Sequence, residues 1–102
     1  MRDVLEQIRR LGLLDPTDQE GLQRRTLAPR LAALRGKVGG FLDNRKHNAN
    51  VLLGHLAARL GAEYGMAAAV QRAKFLYSRV AEPAIIEELA ARCDFVVAAL
   101  GD

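Results

Sequence analysis

The stretch "LDNRKHNAN", residues 42–50, gathers Asp43, Asn44, Arg45, Lys46, His47, Asn48 and Asn50 into one short segment. It follows an apolar run and precedes a helical pattern, so it belongs to a strand-to-helix loop. Helix N-terminal N–H groups and two or three cations beside them would suit a carboxylate or phosphate. The plainer reading is a polar loop whose asparagines cap the helix and whose cations are solvated. Lys74 is expected to follow a second strand, at the same sheet edge as Asp43 and Lys46, or to be an ordinary surface lysine. His47, at the helix start, is the better functional candidate of the two histidines. His47 and His55 have no third ligand candidate at useful spacing, so no metal site is read. His55 lies beside an apolar stripe and is expected to be a half-buried packing residue. There is no G-x-G-x-x-G and no G-x-x-x-x-G-K-[ST], so neither a dinucleotide nor a P-loop site is supported and no cofactor is expected.

The single cysteine, Cys93, falls at the end of a helix and before a strand, opposite the expected site edge. A helix C-terminus and Asp94 both disfavour a thiolate there, so Cys93 reads as structural. Asp102 is at the right edge, but it is also the terminal residue, a position that usually frays.

These residues need elements to hold them. Val4, Leu5, Ile8 and Leu11 are spaced as one helical face over 2–12, with Gly12 as a stop. Residues 13–26, with "LDPTDQEG", are turn-rich and read as an irregular arm. Residues 27–36 are ambiguous: Leu27, Leu31 and Leu34 suit a helix, and Pro29 resists one. "KVGGFLDN" (37–44) reads as a first strand, whose Gly39 and Gly40 either weaken it or admit a close approach. Residues 48–65 read as a helix with Asn48 as N-cap, a stripe of Leu52, Leu53, Leu56 and Leu60, and Gly61 or Gly65 as its end. "MAAAVQRAKF" (66–75) reads as a second strand. A second helix covers about 83–92, with Pro83 in its first turn and Ile85, Ile86 and Leu89 inward. "DFVVAAL" reads as a third, buried strand.

Strand–helix–strand–helix–strand with short connections predicts an α/β fold: a small three-layer, Rossmann-like parallel sheet of about three strands, with an N-terminal helix and irregular arm. The expected division is 1–36 for the helix and arm and 37–102 for the β-α-β-α-β half of an α/β domain. The helices share one face if the strand order runs one way, and lie on opposite faces if it reverses. A parallel sheet needs both faces covered. The third strand has no helix after it, so the sheet reads as incomplete, wanting more chain or a partner.

The chain has 102 residues, half of them hydrophobic, and a net charge of +3. That charge fits an anionic ligand and is too small to argue for nucleic acid. Arg24, Arg25, Arg30, Arg35 and Lys37 cluster, but no aromatics interleave with them. The charged start "MRDVLEQIRR" is no secretory signal and no apolar run is long enough to span a bilayer, so a cytoplasmic protein without membrane contact is expected.

"LDPT", "LAPRLAALRGKVGGFLDNRKHNANVLL" and "AEPAIIEELAARCDFVVAALGD" together resemble the bacterial UGSC family over residues 13–102. "GFLDNRKHNA" and "VVAALGD" are the most specific parts, and the helix at 2–12 looks like an extension. The family is named for a selenocysteine-Gly-Ser-Cys motif, in which cysteine often replaces selenocysteine, directly after a strand ending in Gly-Asp. This sequence stops at Asp102, where that residue would come next. The resemblance therefore implies the N-terminal part of a selenol or thiol redox protein, cut at an in-frame UGA and holding no catalytic residue of its own. In the intact protein the selenol would sit at a helix N-terminus, where its anion is favoured. With a Cys three positions on, it would exchange with a small-molecule or thiol substrate. Asp43, Asn44, Lys46, Asn48 and Lys74 match positions characteristic of the family, and Gly101 and Asp102 mark the site edge. Two other readings stand beside this one. The first is a small module binding an anionic metabolite through 43–50. The second is a structural subunit whose third strand pairs in a homo-oligomer or with another chain.

Overall fold

The computed structural model describes residues 2–18, 20–21 and 25–101; Arg24 and Asp102 lie outside the described residues. The chain divides into two compact units, 1–30 and 31–102. In the first, helix α1 spans Arg2–Arg10. Gly12, at φ 67°, turns the chain out of it, with Leu13 N–H donating to the Ile8 carbonyl. No α1 residue is buried, and Val4 is 53% exposed. The described part of the arm after it forms no helix or strand. Asp15 accepts from the Thr17 N–H at 2.9 Å, and the hydrogen bond of the Thr17 side chain, then this one from its N–H, hold the Asp15 carboxyl below the usual range.

The second unit is a three-stranded parallel sheet with two helices. In chain order it runs β1 (Val38–Asp43), α2 (Ala49–Tyr64), β2 (Ala68–Ala73), α3 (Pro83–Arg92) and β3 (Phe95–Ala99). The strand order is β2-β1-β3, so β1 is central. Right-handed crossovers step one way from β1 to β2 and back the other way from β2 past β1 to β3. They therefore place α2 and α3 on opposite faces. Side chains show the same division. Phe41 packs with Leu53 and Ala57 of α2, whereas a Cβ on its neighbour Gly40 would meet Leu89 Cδ2 and Cys93 Sγ at 3.1 and 3.0 Å.

Both β1 glycines answer a close approach. A Cβ on Gly39 would stand 2.6 Å from Phe95 Cζ, so the glycine lets that ring cross β1 and meet Phe41 edge-on at 6.2 Å. The core on this face is Phe41, Leu53 and Ala57, flanked by Leu56, Leu60, Met66, Phe95 and Val97. α2 ends at Gly65, in the left-handed conformation at φ 69°, with its N–H on the Gly61 carbonyl.

Several expectations are corrected. Asn48 occupies the N-cap position but is left-handed at φ 64°, and its side chain makes no capping hydrogen bond. The extended backbone that aims a cap side chain at the first turn is absent there. Leu52 is 48% exposed and Ile86 52%, because α2 and α3 each press one narrow stripe onto a small sheet and these residues flank it. His55 is exposed, on the solvent side of α2. β3 is half-buried rather than buried: it is an edge strand with one face under α2, leaving Val96 46% exposed.

Candidate functional site

The pairing of β1 with β3 is closed by a side chain at each end. At the amino end, Asp94 Oδ2 accepts from the Val38 N–H and the Asp94 N–H donates to the Val38 carbonyl, both at 2.8 Å. At the carboxyl end, Asn44 presents its amide to the backbone of Leu100. Its Nδ2 donates to the Leu100 carbonyl at 2.6 Å and its Oδ1 accepts from the Leu100 N–H at 2.7 Å. Asn44 N–H also donates to the Ala99 carbonyl at 2.9 Å. The strand order reverses between β1 and β3, and the crevice beyond such a switch point is where open α/β sheets bind ligands. Asn44 and Leu100–Gly101 stand at that point.

From Asn44 the loop turns back toward α2 through a succession of local bonds. Asp43 Oδ1 accepts from Arg45 N–H at 2.7 Å, and Asn44 Oδ1 accepts from Lys46 N–H at 3.3 Å. These side-chain-to-backbone turns stabilise Arg45 in the left-handed region, at φ 67°. The Lys46 ammonium lies 5.4 Å from the centroid of the Tyr77 ring, a cation–π contact. A shallow cleft of about 230 Å³ is lined by Asp43, Arg45, Lys46, His47, Asn48 and Asn50. A second, of about 190 Å³, lies between β1, β2 and α2 and shares Asp43 and Asn50 with the first.

Lys74 directly follows β2, and its N–H donates to the Asp43 carbonyl at 3.0 Å. Its ammonium donates to the carbonyls of Tyr77 and Arg79, at 3.2 and 2.7 Å, so it braces the β2–α3 loop. Phe75 N–H donates to Glu82 Oε1 at 2.9 Å in the same loop. The structure thus brings Asp43, Asn44, Lys46, His47 and Asn48 together in one loop, links Lys74 to it through Asp43, and sets Gly101 one residue beyond the Asn44 clamp. Cys93 is half-buried at the other end of the sheet, against α3. Among the described residues no three His, Cys, Asp or Glu side chains gather to hold a metal.

Tyr77 and Glu82 have parts here that the sequence reading missed. The signal for Tyr77 is "KFLYSRV", with large apolar side chains in a segment that is neither helix nor strand. A separate network, on the α3 face, joins Arg72, Glu88 and Arg92. Arg72 Nε donates to Glu88 Oε2 at 2.8 Å and Arg92 Nη1 to Glu88 Oε1 at 2.6 Å. These contacts, chiefly that with Arg72, hold the Glu88 carboxyl below its usual range.

The UGSC family model matches residues 12–102. The chain belongs to the UGSC family. That assignment covers all of the α/β unit, including the Asn44 loop and β3. No curated protein and no solved structure matches the chain. No helix among the described residues is long and apolar enough to cross a membrane.

Proposed function

We propose that this UGSC chain forms the strand-edge half of a selenol or thiol redox site, whose reactive residue belongs immediately beyond Asp102. The observation that carries this reading is the Asn44 clamp. It fixes the backbone leaving β3 at the switch point, beside the 43–50 loop, where the family motif would follow a Gly-Asp strand end. The reactive selenolate or thiolate would attack one sulfur of a disulfide substrate and release the other as a thiolate. The Cys three positions on would then attack the mixed bond, release the second thiolate and close an internal bridge, which an external thiol would reduce. Asp43, Lys46, His47 and Asn48 would face the substrate from the loop.

The test is turnover of disulfide or hydroperoxide substrates by the product of the whole reading frame. Activity should disappear when the first residue of the motif becomes Ser and persist in Cys93→Ser. Activity in the 102-residue chain itself, unchanged by Cys93→Ser, would refute the reading.

A second reading, an anion-binding module, is favoured by the cleft that Arg45, Lys46 and His47 line at the start of α2. It predicts saturable binding of a phosphorylated or carboxylated metabolite, weakened by salt and lost in Lys46→Ala. Titration calorimetry that finds no binding of either class would end it.

A further inference from the structure

A cleft of about 190 Å³ opens between β1, β2 and the start of α2, beside the one that Arg45, Lys46 and His47 line. Phe41 and Leu53, both buried, close it at the bottom. Its rim is polar, with one side chain from each of three elements. Side chains two apart on a strand share a face, so Asp43 lies on the same side of β1 as Phe41, the side that α2 covers. Gln71 is the register partner of Phe41 in β2 and lies on that side too. Asn50 precedes Leu53 by about one helical turn, at the end of the stripe that α2 turns to the sheet. In each element the neighbours of these positions are core residues, yet the sequence places an acid and two amides there. Arg72 and Ala73 complete the wall, and Glu88 holds the Arg72 guanidinium on the opposite face.

The three polar groups have hydrogen-bonding capacity to spare. Asp43 is half-buried and spends Oδ1 on the Arg45 N–H; nothing among the described residues donates to its Oδ2. Asn50 and Gln71 are exposed, and their side-chain amides make no hydrogen bond among the described residues. Charge narrows the choice of occupant. Asp43 disfavours an anion, because the one cation in this lining, Arg72, is already paired with Glu88. Arg45 and Lys46 in the adjoining cleft disfavour a cation. A neutral group that both donates and accepts fits: hydroxyls donate to Asp43 Oδ2 and accept from the Asn50 and Gln71 amides, with the carbon skeleton over Phe41 and Leu53. The cleft has about six waters' share of liquid volume, enough for one sugar ring or a short polyol. We propose that this cleft binds the hydroxyl groups of a sugar or polyol, with Asp43 as acceptor and Asn50 and Gln71 as donors. The site goes beyond both readings above, which use the switch point and the adjoining cleft.

Amide NMR spectra of the full chain titrated with D-ribose and with D-glucose test this. The expected result is a dissociation constant on the order of 1–10 mM for at least one of them, with the shifts centred on Asp43, Asn50 and Gln71. Asn50→Leu and Gln71→Leu should each weaken that binding about three- to tenfold, as loss of one neutral hydrogen bond does. Both positions are exposed, and an otherwise unchanged spectrum confirms that each variant folds. No shift at these residues with either sugar overturns the inference. So does sugar binding that survives both substitutions at full strength. Larger shifts at the same residues with propylamine or acetate than with the sugars overturn it as well, and assign the cleft to a charged ligand.

Discussion

Replacing Asn44 tests the account at the point where β1, β3 and the 43–50 loop meet. Asn44→Ala removes two well-placed hydrogen bonds to the Leu100 backbone, at 2.6 and 2.7 Å, and one long one to Lys46 N–H. A part-buried hydrogen bond contributes about 1 kcal/mol net, and an orphaned backbone group costs more, so the expected loss is about 1–3 kcal/mol. With an m-value of about 1 kcal/mol/M for a domain this size, the urea midpoint should fall by about 1 M or more. The Leu100 amide should lose its hydrogen-exchange protection while those of β2 keep theirs. Asn44→Asp should cost more than the alanine at neutral pH, because a carboxylate oxygen then faces the Leu100 carbonyl where Nδ2 donated. That contact disfavours the charged form in the fold and raises the introduced carboxyl's folded-state value above its unfolded one. The aspartate's stabilising contribution is therefore present below the unfolded value and is lost as pH rises through the folded one. The deficit of Asn44→Asp against the native chain should narrow on acidification, and that of Asn44→Ala should not narrow in the same way. Urea curves for Asn44→Ala within about 0.5 kcal/mol of the native chain, with the Leu100 amide still protected, would refute the reasoning.

Further outcomes follow from other contacts. Gly40→Ala should destabilise by about 1–3 kcal/mol, since its Cβ meets three packed atoms of Leu89, Cys93 and Val96 at 3.0–3.1 Å, and Cys93→Ala in the same chain should recover part of the loss in thermal melts. The Glu88 contribution is present above the ordinary glutamate range and is lost as pH falls through the lowered folded-state value, so Glu88→Gln should flatten the acid limb of a stability–pH curve. Lys74→Met removes the donor to the Tyr77 and Arg79 carbonyls, and limited proteolysis should then cut within 75–82 faster than in the native chain.

The elements were legible where a local rule agreed with the tertiary contacts. α3 begins at Pro83 and ends at Arg92 as the sequence predicts, because proline at the first turn and the approach to Cys93 both mark its ends. The alanine-rich 68–73 segment still forms a strand: it is short, and its Val70 is 5% exposed, on the face of α3. Strand order was not legible, because the sequence pattern is the same whichever side of β1 receives β3. Nor was the pairing of Asn44 with Leu100, which lie 56 residues apart. Of the loop, the residue types and their gathering at the carboxyl edge were readable. That Asn44 grips backbone, that Lys74 braces a loop and that Tyr77 lies beneath Lys46 depend on how the turns wind. The left-handed Arg45 has no signature in its own side chain, whereas Asn48 is of a residue type that tolerates that region.

The most direct test of the redox reading is to read the gene in frame beyond the Asp102 codon. The account predicts a UGA or cysteine codon followed by Gly-Ser-Cys and the remainder of the domain, which would place the reactive residue beside the Asn44 clamp. An ordinary stop codon with no such sequence behind it would contradict the redox account.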